Sequence, residues 1–243
     1  MVIACPVRGK QKSVDICRAF IEGSPRKAFG YVFYGVDESN WRNWQIVQRS
    51  GEPWFYIDNS FFDVVRGQQF RVAKNRVQTL VGEQTSDGKR FDALGLTIAE
   101  WDAWESNNRN WLVVEQSESF MRYVANEPDW LEERAKSLPF GRMSEMRVRR
   151  WERDKLKQQT TLAADLEWAD SVLAHSSAAA VEAVLVGVPI IVSKMSALAG
   201  MVCGRAESAH RDERRRYLSV LADNQFSLEA FRSGEAWAHL QKS

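Results

Sequence analysis

Histidine and cysteine are scarce in this sequence, three of each among 243 residues, and that scarcity narrows its chemistry first. Cys5, Cys17 and Cys203 are too few and too scattered for a disulfide framework, and no CxxC pair or Cys/His cluster has zinc-ligand spacing. With so few histidines no Ser/His/Asp order is compelling, which tells against a hydrolase. Neither sign of charge dominates: 33 basic against 32 acidic side chains leave a formal net charge of +1, so no global field announces a nucleic-acid partner. No apolar run reaches the roughly 18 residues that span a bilayer, and MVIACPVRGKQ lacks the apolar core of a signal peptide. A protein of a reducing cytoplasm, with no membrane partner and no resident metal, is the expectation.

What is present is a foldable chain. Hydrophobic residues make up 44% and charged residues 27%, enough apolar surface to exclude disorder. The length allows one large domain or two of about 120 residues. The first half reads as the strand VIAC, the loop PVRGKQK, and a helix capped by Ser13 with Val14, Cys17, Phe20 and Ile21 at helical spacing. The strand FGYVFYGV, a helix over Trp41 to Val47 and the strand WFYIDN follow. FFDVVRGQQFRV reads as two β runs meeting near Arg66 and Gly67. GEQTSDGKRFDALG reads as loop, TIAEWDAWE as a short helix, and polar SNNRN, residues 106 to 110, as a boundary.

After that boundary the alternation restarts. WLVVE is a strand, Pro128 opens a helix to about Ser137, MRVRR is a strand, and TLAADLEWA is a helix that leads to the strand SVLA. The expected fold class is α/β, with two Rossmann-like halves facing a cleft, residues 1–110 and 111–243. One continuous doubly wound sheet is the alternative.

The stretch HSSAAAVEAVLVGVPIIV, residues 175 to 192, is the most informative. Ser176 or Ser177 caps a helix that Gly187 and Pro189 stop near Val186, giving a strand, helix, strand unit. Glu182 is not a capping-box residue, because that box would place it at position 179 or 180, and both are alanine. It therefore either points to solvent or faces a polar ligand over the helix start. Such starts favour anions, and a diphosphate over the two serines would leave Glu182 in reach of ribose hydroxyls. The run RMSEMRVRRWERDKLK, residues 142 to 157, adds seven basic residues against three acids near the same place. It reads as a solvated strand end or, together with the hydroxyls, as a phosphate site.

Taken together, TLAADLEWADSVLAHSSAAAVEAVLVGVPIIV resembles the second-domain motif of GT-B glycosyltransferases, in the manner of capsular polysaccharide and Kdo-transferase-like proteins. MRVRRWERDK is similar to their basic strand end and WLVVEQSES to the first strand and loop of their donor domain. WFYIDNSFF, QFRVAKN and QFSLEAFRSGEAW resemble small phage-type proteins of the same kind. The resemblance implies a compact GT-B-like fold whose second half holds a nucleotide-activated sugar. Ser176 and Ser177 would meet phosphate, Glu182 the ribose, Gln116 and Ser117 the nucleotide or sugar, and Arg149 and Lys155 the leaving group. It also implies no metal or other cofactor beyond the nucleotide-sugar donor.

Glycosyl transfer needs a base for the acceptor hydroxyl and stabilisation of the departing phosphate. The C-terminal end of a parallel strand faces the ligand crevice, so Asp58 is the first candidate base and Asp37 the second; either could instead cap the next element. His175 reads as a strand end. Arg8, Arg71 and Lys74, with aromatic neighbours, would line the acceptor side. Basic residues among aromatics suit DNA and a sugar ring equally. A hydroxymethylated pyrimidine in phage DNA is the first acceptor reading and a capsule-type saccharide the second. A nucleotide- or nucleic-acid-binding protein without activity is the third.

Overall fold

The computed structural model describes residues 1–79, 81–82, 84–100, 110–138, 145–149, 160–201, 203–204, 207–208 and 211–242. In chain order the elements are β1 (Val2–Ala4), α1 (Gln11–Glu22), β2 (Gly30–Tyr34), α2 (Trp41–Ser50), β3 (Trp54–Asn59), β4 (Gln69–Lys74), α3 (Lys89–Asp92) and β5 (Asn110–Val114). They continue as α4 (Glu118–Phe120), α5 (Trp130–Lys136), β6 (Glu145–Arg149), α6 (Leu162–Trp168), β7 (Ser171–Ala174), α7 (Ala178–Val186) and β8 (Ile190–Val192). The last are β9 (Cys203–Gly204), β10 (Glu207–Ser208), α8 (Arg211–Asp223), β11 (Gln225–Ser227), α9 (Leu228–Arg232) and α10 (Glu235–Leu240). No helix among the described residues is long and apolar enough to cross a membrane.

The chain forms two compact units, each with its own sheet, rather than the single continuous sheet that was the alternative. The first holds Met1–Thr79, Glu118–Asn126 and Leu221–Ser243; the second holds Leu80–Ser117 and Glu127–Val220. The units are therefore discontinuous in sequence, whereas the sequence reading draws one boundary at residue 110. Asn110 opens β5, residues 106–109 lie outside the described residues, and so does most of the helix expected over TIAEWDAWE.

The first unit's sheet has the order β1-β2-β3-β4-β11. β1, β2 and β3 run parallel, and β4 turns back against β3 with Asp58 level with Arg71. β11 completes the edge antiparallel to β4. Trp54 through Ile57 are buried at successive positions, as a strand covered on both faces requires. α1 buries Ile16, Cys17, Ala19 and Phe20, one helical face, against this sheet. The core closes only with the C-terminal elements: the Phe20 ring lies 5.0 Å from that of Phe55 and 5.6 Å from that of Phe231. α9 approaches so closely that a Cβ on Gly23, at the end of α1, would collide with the Phe231 carbonyl oxygen.

Two local expectations are corrected here. Ser13 lies inside the first turn of α1 rather than capping it. Its buried hydroxyl accepts the Val7 N–H at 3.0 Å and donates to the Tyr34 carbonyl at 3.0 Å, so it serves the loop after β1. The run FFDVV is a short 3₁₀ turn (Asp63–Val65), because Asp63 and Arg66 close it through their backbone and an ion pair of 2.7 Å.

The second unit's sheet has the order β6-β5-β7-β8, all parallel. Trp111 to Val114 and all of β7 are buried. α7 is apolar on nearly every side and is correspondingly buried. Its ends follow the sequence reading: Ser177 is the N-cap, its Oγ accepting the Ala179 N–H at 3.2 Å, and Gly187 takes the left-handed conformation at the C-terminus. Arg214, buried on α8, donates to the Val184 carbonyl at 3.1 Å and to the Ala99 carbonyl at 2.7 Å, satisfying a carbonyl of the last turn of α7.

Because Phe20 joins elements from both ends of the chain, Phe20→Ala should lower first-unit stability by about 3–5 kcal/mol. Urea denaturation followed by far-UV circular dichroism checks this; a loss below about 1 kcal/mol, nearer the effect of a surface change, would mean that the C-terminal elements are dispensable to that core.

Candidate functional site

In the second unit the chain leaves β5 for β6 on one side, returns across β5 to β7, and continues outward to β8. Crossovers therefore part between β5 and β7, and an open α/β sheet binds ligands at the carboxyl ends of the strands flanking such a point. The register brings Val114 level with Ala174 and with Arg149. The residues that follow, Gln116 and Ser117 after β5 and His175, Ser176 and Ser177 after β7, consequently emerge at one edge. Glu182 stands on the second turn of α7, half-buried. Lys155 lies outside the described residues.

His175 was read as a strand end, and the structure gives it more to do. It is 1% exposed. Its Nε2 lies 3.1 Å from Glu127 Oε2 and its Nδ1 3.1 Å from Ser176 Oγ, with the Trp130 ring packed edge-on at 5.1 Å. Burial pushes the imidazole below its ordinary pKa, more than the Glu127 carboxylate lifts it. A neutral ring beside an acceptor-only carboxylate carries its proton on Nε2, so Nδ1 is the acceptor and the Ser176 hydroxyl donates to it. Ser176, itself 2% exposed, is thereby tied to the His175 ring. Ser177 is the converse: its oxygen accepts from Ala179, and its proton is directed elsewhere.

Arg149 was expected to neutralise a leaving group, and the structure commits its Nη1 to Asp165. That carboxylate, 2% exposed at the start of α6, takes Arg149 at 2.7 Å, Arg147 at 3.0 Å and the Thr160 hydroxyl. Arg147 also lies over the Trp168 ring, 4.1 Å from its centroid. Burial alone would raise the Asp165 pKa; the hydrogen bonds from Thr160, Arg147 and Arg149 outweigh it and hold the carboxyl below its ordinary value. The cluster clamps edge strand β6 to α6, and Glu115 N–H reaches the Arg149 carbonyl at 3.0 Å beside it.

In the first unit Asp58 and Arg71 meet each other. Asp58 Oδ2 lies 2.6 Å from Arg71 Nη2, and its Oδ1 accepts the Asn59 N–H at 2.7 Å. The buried guanidinium sits over the Phe61 ring at 4.8 Å. Asp37 follows β2: its Oδ1 accepts from the Ser39 N–H at 2.9 Å and hydroxyl at 2.6 Å, and its Oδ2 pairs with Lys10 at 3.2 Å. Partial burial works against these bonds, and the net effect lowers the Asp37 pKa. Arg8 lies beside it, donating its N–H to Ser39 Oγ at 2.9 Å. Lys74 stands apart from that group, because β4 runs backwards and brings it level with Phe55 at the amino end of β3. Among the described residues no group of His, Cys, Asp or Glu is placed to hold a metal ion.

No protein-family model and no curated protein matches this chain. Solved structures do. KpsC, beta Kdo 2,4 transferase, of Thermosulfurimonas dismutans is similar with a TM-score of 0.55 and 16% identity, over 92% of this chain and 90% of that one. KpsC, beta Kdo 2,7 transferase, of the same organism is similar with a TM-score of 0.54 and 11% identity, over 100% and 98%. The fold is GT-B-like. In this GT-B-like chain, sequence reasoning placed both serines before α7 and Glu182 on it, whereas the contacts of Glu127, Trp130 and Asp165 went unread. Each of these acts through a partner distant in the chain, and no spacing rule flags them.

Two measurements follow from the geometry. Nitrogen-15 spectra of the imidazoles should show His175 as the Nε2–H tautomer at neutral pH; the Nδ1–H form would reverse the polarity assigned to Ser176. Asp165 has a lowered folded-state pKa, so its stabilisation is complete above its ordinary value of about 3.8 and is lost as pH falls through the lower folded value. Asp165→Asn should cost about 2 kcal/mol near neutrality and remove that component of acid unfolding, which chemical denaturation across pH would read.

Proposed function

We propose that this chain is a glycosyltransferase that moves a sugar from a nucleotide-activated donor to a saccharide hydroxyl, with the nucleotide held by the second unit. The observation that carries this reading is the capped start of α7, which emerges after β7 beside the β5 loop where the crossovers part. Unpaired N–H groups and the helix dipole favour a phosphate there. Ser177 supplies a hydroxyl proton to it. Glu182 takes the ribose hydroxyls, and Gln116 and Ser117 meet the base or the sugar. Helix N–H groups and Ser177 stabilise the leaving phosphate without a metal.

In an inverting displacement the acceptor oxygen forms the new bond to the anomeric carbon while the bond from that carbon to phosphate oxygen breaks. The acceptor proton passes to a carboxylate, for which Asp58 is the first assignment, oriented by Arg71; the nucleotide leaves with the electron pair. Asp37 is the second assignment, weakened by the three contacts already made to its two oxygens. A saccharide acceptor is preferred to a modified pyrimidine in DNA because the similar solved structures are named for Kdo transfer.

Thermal unfolding in the presence of UDP, GDP, CMP, ADP or dTDP tests the donor site, since a ligand that binds only the folded state raises its stability. One nucleotide should raise the midpoint. Ser177→Ala should weaken that nucleotide roughly five- to tenfold, the worth of one hydrogen bond to a charged group, and Glu182→Ala should weaken nucleotides with an intact ribose. Asp58→Asn should keep nucleotide binding and lose transfer. No midpoint shift with any of the five would remove the donor site, and unchanged affinity in Glu182→Ala would remove the ribose assignment.

A further inference from the structure

His175 is a buried titratable group that the transfer scheme leaves without a task. It stands where four stretches of the second unit meet. Its ring reaches Glu127 on the turn before α5 and packs against Trp130 of α5, its Nδ1 faces Ser176, and its carbonyl accepts the Ser193 N–H after β8. His175 and Ser176 are 1% and 2% exposed, whereas the Glu127 side chain keeps 27%. A serine, a histidine and a carboxylate in contact have the composition of a hydrolytic triad, but a hydroxyl so covered reaches no substrate carbonyl. A metal fits no better, because no group of ligating side chains converges among the described residues.

A polar ring partnered on both nitrogens fixes the elements around it. Here one of them is the start of α7: Ser176 precedes Ser177, whose Oγ caps the helix by accepting the Ala179 N–H at 3.2 Å. A neutral imidazole has one donor and one acceptor, and an imidazolium has two donors. Protonation therefore turns Nδ1 into a donor, and the Ser176 hydroxyl has to reverse and accept from it. The added charge also lies beside the positive end of a helix, which disfavours it; an anion bound at that end offsets the repulsion. Glu127 is the charged group that acts on the ring, opposing the effect of burial. On the surrounding elements Asp129, Lys194 and the α5 side chains Glu132, Glu133, Arg134 and Lys136 are exposed, and Glu115 and Glu182 are half-buried.

We propose that Glu127 and His175 are positioning residues for the start of α7, and that the imidazole takes up a proton when an anion binds there. The anion rests on the donor reading above; the hold of the pair on the helix start does not. Linkage is reciprocal, so the same pair makes anion affinity rise as the pH falls. Burial lowers the folded-state pKa of the ring. Its contribution to stability is therefore complete above the ordinary value of 6.5 and is lost as the pH falls from there toward the folded value.

An NMR pH titration of the full chain, in sodium sulfate and in sodium chloride at equal ionic strength, tests this, because sulfate does not itself titrate in the range. Nuclear Overhauser contacts with the Trp130 ring assign the His175 resonances. In chloride the ring should titrate below 6.5, with the Ser177 and Ala179 amides following its midpoint. Sulfate should raise that midpoint. A rise of about half a pH unit corresponds to roughly threefold tighter sulfate binding by the protonated form. Glu127→Gln keeps an acceptor for the ring and removes the charge, so it should lower the midpoint in both salts with the far-UV circular dichroism unchanged. Amides that ignore the titration of the ring, or a midpoint equal in both salts, overturn the proposal. A sulfate-sensitive ring with no nucleotide raising the thermal midpoint keeps the coupling and removes the donor reading, whereas a nucleotide shift with a sulfate-insensitive ring does the reverse.

Discussion

Among the described residues of the second unit, four parallel strands set where a polar ligand can be held. A buried parallel sheet uses nearly all its backbone hydrogen-bonding groups internally, and helices cover its faces. Free N–H groups are left where a crossover begins. Between β5 and β7 the crossovers part, so two loops and the start of α7 come together without a helix over them. Everything assigned to nucleotide binding depends on that order of strands. β7, with its four residues all buried, fixes where His175, Ser176 and Ser177 emerge. The side-chain chemistry then only has to match a place that the sheet has already made.

Buried hydroxyls and paired carboxylates hold the edges of both sheets in the same manner. In the first unit Ser13 joins the loop after β1 to the end of β2. In the second, the Ser193 N–H reaches the His175 carbonyl at 3.0 Å, joining the ends of β7 and β8. Asp165 does for edge strand β6 what these bonds do for the loops, with two guanidinium groups on one carboxylate. Each device replaces water with a fixed partner in a place where an unsatisfied group would be costly. A loop so held presents its remaining polar atoms in one arrangement, which is the condition for recognising a sugar or a phosphate through few contacts.

The α7 unit was readable because every signal in it is local. A short apolar run, two hydroxyls, a small apolar stretch and a Gly-x-Pro stop lie within about twenty residues, and the cap, the helix and the following strand form as the pattern requires. WFYIDN was readable for the same reason. The pairing of Asp58 with Arg71 was not, since it needs the antiparallel register of β3 and β4, and it joins a candidate base to a candidate acceptor residue that had been given separate tasks. Ser13 had the composition of a cap and the place of a loop anchor. Lys74 shared a strand with Arg71 but stands toward the other end of the sheet, because direction along a strand decides the edge and sequence proximity does not.

By itself the sequence determined the alternation of strands and helices, the α/β class and the polar cluster after SVLA, since hydrophobic period, caps and helix stops act between near neighbours. Tertiary structure alone decided which strands adjoin, that Gln225 returns to accept the Phe61 N–H across 164 residues, and that Glu127 meets the His175 ring across 48. Such contacts are made by bringing distant segments together against chain entropy. Their partners are selected by the packed whole and leave no mark on the local pattern at either end.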